Sequence, residues 1–273
     1  IGTYGGGINF ISNNPPLFNT LSYNPVLGKN SKLSYKVAWG MCTDKQGKTW
    51  IGTDGGLSYF NSKTETFYTY NNKNTWLIDV DDSKNRITNY SVKAIIEDRN
   101  GDLLIGTWSS GLMRLKRGSN VFRSYPKLND INSAYSLFFD RNHRLWVGTW
   151  GYGVLCISNP DNLKNPQYHQ YPYTTNNFDI FYKFVEDPTT HTLWACTREG
   201  ICFLDENLPQ ASWQKYTQIG NSRLIYCNDI CTDGGATSGS ARRMMESCRL
   251  LPHHRSSGSG IWEIFRMPLP STT

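Results

Sequence analysis

The stretch "LWVGTWGYGV", residues 145–154, places a Trp, a Gly-Thr pair and a glycine-spaced aromatic turn between two apolar runs. One hairpin could account for that order, but the chain repeats the phrase four more times. It reads "IGTYGGGI" at 1–8, "WIGTDGGL" at 50–57, "LIGTWSSGL" at 104–112 and "WACTREGI" at 194–201. The threonines Thr3, Thr53, Thr107, Thr149 and Thr197 are 50, 54, 42 and 48 residues apart. Before each complete copy comes an apolar run that ends in Asp44, Asp98, Asp140 or Asp187 and then a polar turn. After each copy comes a strand-like run ending in Tyr23, Tyr70, Tyr125, Tyr171 or Tyr216.

Each unit of roughly 45 residues therefore offers four short strands, the pattern of propeller blades. Helical repeats of similar period need 3.6-residue periodicity, which is absent. The expected fold is all-β: a β-propeller of four-stranded blades, incomplete, with about five blades and the start of a sixth. Asp-x-x-Gly at 44–47 and 98–101 suits a hairpin, because Asp bonds the turn backbone and Gly accepts positive φ. Glycine before the threonine lets neighbouring sheets approach closely, and threonine suits a pleated strand.

The sixth copy starts at 224–235, "LIYCNDICTDGG", and then changes style. Read one base out of frame from residue 236, the genetic code permits Gly-Asp-Leu-Trp-Ile-Gly-Thr. The permitted Trp falls six positions after Asp233, as Trp50 follows Asp44. Residues 1–235 are thus expected to form the partial propeller, and 236–273 a frame-shifted continuation of the sixth blade. Because Ile1 lies inside a motif, upstream sequence is also expected.

Composition narrows the function. The 273 residues are 38% hydrophobic, with 9 Trp, 16 Tyr and 12 Phe, ample for a packed core. The net charge is +6, but residues 236–273 hold five Arg, and the rest has 23 basic against 20 acidic residues. No basic stripe favours nucleic acid, and no apolar run approaches the ~20 residues of a membrane helix. The seven cysteines form no CxxC and sit mostly in apolar runs, so buried free thiols are expected. No metal is expected: His143, His169 and His191 lie apart, and "DVDDSKN" at 79–85 lacks the Gly and Glu of a calcium loop. No nucleotide-binding or nucleophile-elbow motif implies a cofactor or a catalytic residue. Glu97/Asp98 and Glu186/Asp187 recur at the same turn as Asp44 and read as structural.

The variable positions point elsewhere. In the turn after each Gly-Thr stand Tyr4, Asp54, Trp108, Trp150 with Tyr152, and Arg198 with Glu199. Five positions before each turn aspartate stand Trp39, Lys93, Tyr135, Tyr182 and Asn228. In a propeller these two sets share one face. Flat aromatics with polar neighbours suit a saccharide, whose C–H faces stack while its hydroxyls take directional hydrogen bonds. The candidate ligand-binding residues are Tyr4, Trp39, Asp54, Trp108, Trp150, Tyr152, Arg198, Tyr135 and Tyr182.

The recurrent phrase, clearest in "SVKAIIEDRNGDLLIGTWSSGL" (91–112) and "VAWGMCTDKQGKTWIGTDGGL" (37–57), resembles the two-component regulator propeller repeat. That resemblance implies a periplasmic sensor region of a hybrid two-component system, with an oligosaccharide as ligand and a histidine kinase elsewhere in a membrane-anchored, homodimer-compatible parent chain. It implies recognition rather than catalysis. The alternatives are a sialidase-like propeller glycosidase or lyase, and a structural protein-binding propeller.

Overall fold

The computed structural model describes residues 2–3, 7–11, 18–21, 33–70, 76–78, 84–86, 90–125, 131–162, 164–171, 180–188, 190–204, 212–216, 218–219, 222–223, 227 and 229–230. Residues 236–273, and Asp79, Asp81 and Ser83 of the calcium-like run, lie outside them.

The regular structure described is entirely β and tracks the repeat. A first sheet has three strands, β1 (Gly2–Thr3), β2 (Gly7–Ile11) and β3 (Phe18–Leu21), in that order. The second is β4 (Ala38–Thr43), β5 (Lys48–Thr53), β6 (Gly56–Asn61) and β7 (Thr66–Thr69), an antiparallel meander. A short hairpin comes next, β8 (Trp76–Ile78) with β9 (Lys84–Arg86). The third blade is β10 (Val92–Glu97), β11 (Leu103–Thr107), β12 (Leu112–Leu115) and β13 (Val121–Ser124), and β8 pairs in parallel with its outer strand β13. No repeat signal marks that addition.

The fourth sheet is β14 (Ala134–Phe139), β15 (Leu145–Thr149), β16 (Val154–Ile157) and β17 (Tyr168–Tyr171). The fifth is β18 (Phe181–Glu186), β19 (Leu193–Thr197), β20 (Gly200–Leu204) and β21 (Gln214–Tyr216). A two-stranded ribbon, β22 (Gln218–Ile219) and β23 (Ser222–Arg223), comes last. By contact density the chain divides into two units: Ile1–Leu137 with Ile157–Gln167, and Phe138–Cys156 with Tyr168–Thr273.

Each repeated residue has a mechanical task. Thr53, Thr107, Thr149 and Thr197 are fully buried. Each hydroxyl donates to a glycine carbonyl across the next hairpin, at 3.2, 2.8, 2.7 and 3.1 Å. Each also accepts a backbone N–H of the turn, from Gly55, Ser110, Tyr152 or Glu199. The threonine thus ties its hairpin together, a stronger reason for its recurrence than strand propensity.

The turn aspartates act similarly. Asp44 Oδ1 accepts the N–H groups of Gln46 and Lys48, and its Oδ2 accepts the Trp50 indole N–H at 2.9 Å. Asp140 does the same with Asn142, Arg144 and Trp146. Where Leu104 replaces that Trp, Arg114 supplies the missing donor to Asp98 at 2.6 Å. Asp98 and Arg114 are both buried, so the pair replaces an indole hydrogen bond with an ion pair.

Within each unit, blades join through hydrophobic contacts and a few polar ties. In the first unit, Trp50, Leu57, Tyr70, Val92, Ile105, Met113 and Phe122 form one cluster across the second and third blades. The Tyr70 hydroxyl reaches the Ser119 carbonyl, and that of Tyr125 the Pro160 carbonyl at 2.7 Å. In the second unit, Trp146, Val154, Phe181, Phe184 and Leu193 form an equivalent cluster.

The cysteine expectation needs correction. Among the described cysteines, Cys42, Cys156 and Cys202 keep their thiols, but Cys196 and Cys227 form a disulfide. Cys196 stands where other repeats have the glycine before the threonine, and Cys227 where the next repeat starts its first strand. The Cys227 N–H bonds the Thr197 carbonyl at 3.1 Å, bringing the two α-carbons within 4.9 Å. That separation lies within ordinary disulfide reach.

Candidate functional site: an aromatic face on the first unit

Three blades converge on one small patch of the first unit. Trp39 lies in β4 where the register with β5 shifts between Ala38 and Gly40, so it is the extra residue of a β-bulge. Lys93 holds the same place in β10, between Val92 and Ala94. A bulged residue is freed from the pleat and can be re-aimed. At Trp39 the bulge turns the side chain outward from the blade rather than into it.

Asp54 sits in the β5–β6 turn beside them. Its Oδ1 accepts from the Trp39 indole N–H at 2.7 Å, the Ser91 hydroxyl at 2.6 Å and the Lys93 ammonium at 2.8 Å. All three donors fall on one oxygen, leaving Oδ2 as an acceptor for a ligand hydroxyl. The Lys93 ammonium also lies 3.7 Å from the Trp39 ring centroid and 5.8 Å from that of Tyr135. Tyr135, in β14, meets Trp39 and Trp108 edge to face, each at 6.2 Å. Trp108 comes directly after β11, and its backbone N–H bonds the Ser91 carbonyl, joining the turn to the entry of β10. Trp39 and Trp108 are each 40% exposed, so both indoles keep surface for a partner.

Electrostatics fix this arrangement. Burial pushes the Asp54 carboxyl upward, but hydrogen bonds from Lys93, Ser91 and Trp39, with the Lys93 charge, outweigh it and hold the pKa below the usual carboxylate value. Burial lowers the Lys93 ammonium, and Asp54 recovers only part of that shift. Asp54 is therefore ionised at neutral pH, its carboxylate pinned by Lys93 and by the Trp39 indole.

Of the nine sequence candidates, Trp39, Asp54, Trp108 and Tyr135 come together here. Lys93 and Ser91 complete the cluster. Lys93 stood at a flagged position but was not counted, and Ser91 carried no repeat signal. Tyr4 lies outside the described residues.

Trp150, Tyr152, Tyr182 and Arg198 belong to the second unit. Trp150 bridges to Ile180, whose carbonyl accepts the Arg198 N–H at 3.2 Å, so the two turns share one backbone neighbour. Tyr152 is 45% exposed, and its carbonyl accepts from the Gln170 side chain. Tyr182 is half-buried against the cluster of Trp194, Cys196 and Ile201.

The paired carboxylates serve the scaffold. Glu97 accepts the Lys45 N–H of the preceding blade's turn at 2.9 Å, and Glu186 accepts that of Arg141 at 2.8 Å. Asp98 and Asp187 are buried in their own turns. Among the described residues, no group of three or more His, Cys, Asp or Glu is placed to hold a metal ion.

Residues 86–109 and 129–151 match the family model described as two component regulator propeller. Those two segments are similar to the two-component regulator propeller repeat. The two matched segments supply Ser91, Lys93, Trp108 and Tyr135, most of the aromatic face. The fold has solved counterparts. The extracellular domain of the putative hybrid two component system BT3049 of B. thetaiotaomicron superposes with a TM-score of 0.63 at 19% identity, over 85% of this chain and 29% of that one. The corresponding domain of BT4673 gives 0.56 at 18% identity, over 72% and 24%. PorZ of the Porphyromonas gingivalis type-IX secretion system gives 0.52 at 16%, over 84% and 33%. These likenesses establish the β-propeller of four-stranded blades. The chain spans about a quarter to a third of the length of these relatives. No curated protein matches it.

Proposed function

We propose that this chain is part of the ligand-recognition region of an extracytoplasmic two-component sensor, and that the face formed by Trp39, Asp54, Lys93, Trp108 and Tyr135 takes an oligosaccharide. The observation that carries the reading is the pairing of two half-exposed indoles with a carboxylate pinned on one oxygen. The indoles offer stacking surface and the second oxygen a fixed acceptor, so the ligand meets groups already in place. Regulator propeller repeats, and extracellular sensor domains among the structural neighbours, support the class. In this reading the chain recognises and does not catalyse. A histidine kinase elsewhere in a membrane-anchored parent protein receives the signal, through a ligand that favours one arrangement of the parent, such as a homodimer, over another.

Calorimetric titration of the chain against a panel of neutral oligosaccharides tests the proposal. Trp108→Ala is expected to weaken binding by roughly tenfold or more, about 1.4 kcal/mol, without lowering the melting temperature. A panel that gives no saturable binding, or a Trp108→Ala variant that binds as well as the parent, would overturn it.

A further inference from the structure

A second surface feature of the first unit lies away from the aromatic face. A cleft of about 320 Å³ opens between the outer strands of the second blade and the β12–β13 turn of the third. Its volume is at the lower end of the range for small-molecule pockets. Trp50 and Tyr70 form the floor, each 6% exposed. Tyr59 and Tyr68 form one wall as a stacked pair, centroids 5.4 Å apart and planes 21° apart. The opposite wall is the Lys116–Arg117–Gly118 turn.

The charge in this cleft is one-sided. The Lys48 ammonium lies 4.9 Å from the Tyr59 ring centroid. With the Gln46 amide turned so that its oxygen faces the guanidinium, Gln46 accepts from Arg117, at 3.0 Å from Nε, a neutral partner that leaves the cation's charge in place. Asp44 is the lining carboxylate, and it is bound to two turn N–H groups and to the Trp50 indole. Among the described residues, no carboxylate forms an ion pair with Lys48, Lys116 or Arg117.

The second unit uses a larger ring at the corresponding inter-blade contact. There Trp213, three residues before the terminal tyrosine of its blade, meets Trp146 edge-on at 6.2 Å. The same position in the third blade is Phe122, whose smaller ring packs on Tyr70 and Tyr90.

We infer that this cleft binds a small carboxylate borne on a ring with an apolar face, stacked on the Tyr59–Tyr68 wall with its charge toward Lys48 and Arg117. A uronic acid and an aromatic carboxylate share that chemistry. Calorimetric titration of the full chain with methyl glucuronide and with benzoate separates the two sources, with methyl glucoside and benzyl alcohol as neutral controls. At least one carboxylate is expected to bind at millimolar concentration or below, more tightly than its neutral control. Lys48→Glu combined with Arg117→Glu is expected to weaken that binding at least roughly tenfold with the melting temperature unchanged. Should that pair fail to fold, Lys116→Glu, at an exposed position, replaces it with an expected loss of a few-fold. Trp39→Ala, on the aromatic face, is expected to leave this binding intact, so the two sites fail independently. Absence of saturable binding by both carboxylates, equal binding of the neutral controls, or indifference to charge reversal would overturn the inference.

Discussion

At the scale of single residues, Asp54 and Lys93 decide how the aromatic face responds to pH. The Asp54 carboxyl is held below its usual value of about 3.9, so its stabilising bonds are complete above that pH. They are lost as pH falls through the lower, folded-state value. Lys93 is shifted down from its usual value of about 10.4; the unfolded chain binds more protons there, and stability rises with pH on approach to that value. The Trp39 indole N–H resonance should therefore hold its position down to about pH 4 and move only below it. In Asp54→Asn that acid transition should vanish; a transition centred above pH 4 in the parent would contradict the bonding seen. Trp39, Asp54, Trp108 and Tyr135 were legible because they break a repeat at positions the fold gathers on one face. Lys93 was half-legible, since a lysine at an aromatic position looks solvated until its carboxylate partner is known. Ser91 was not legible, because the repeat does not mark the residue before β10.

At the scale of the blade, nearly the whole design was legible in the repeat. The five-fold phrase announced four strands per unit, and Gly47 and Gly101 take positive φ, both +81°, where the turns require it. His143 and His191 adopt the same left-handed region at φ 60° and 62°, so the turn keeps its shape without glycine at a modest backbone cost. The β8–β9 hairpin escaped notice because its inter-blade segment carries none of the repeated phrase. The glycine before each threonine is a packing requirement that can be tested. A Cβ on Gly52 would lie 2.4 Å from Val92 Cγ1, and one on Gly106 would lie 2.6 Å from the Ala134 carbonyl oxygen. Both alanine variants should lose about 1–3 kcal/mol in denaturant unfolding. Val92→Ala should restore part of the loss in Gly52→Ala, because the nearest clash is with a side chain. No change at Ala134 should rescue Gly106→Ala, whose clash is with backbone. Equal rescue at both sites would show that the blades shift apart instead.

At the scale of the molecule, the disulfide changes how the second unit is held. Elsewhere the next repeat comes close to a glycine, as Val92 does to Gly52 and Ala134 to Gly106. At the fifth blade the same approach is covalent, Cys196 to Cys227, and it ties the first residues of the sixth repeat to the fifth. Beside that bond Cys227 and Ile230 are buried with Trp194 and Ile201, so the tie holds an apolar contact closed. The pairing was not legible from cysteine counting, since the partners are 31 residues apart and no spacing motif marks them. It becomes legible once the repeat register sets a cysteine in the glycine position opposite a cysteine in the next first strand. Closing a loop of that length restricts the unfolded chain by about 3–4 kcal/mol in the chain-entropy model. Reductant should therefore lower the unfolding temperature of the second unit by several degrees. Cys196→Gly with Cys227→Val restores the pairing used by Gly52 and Val92, and the folded variant should melt at one temperature with or without reductant. A parent protein indifferent to reductant, or a double variant still sensitive to it, would show that the bond does not secure the fifth blade to the start of the sixth repeat.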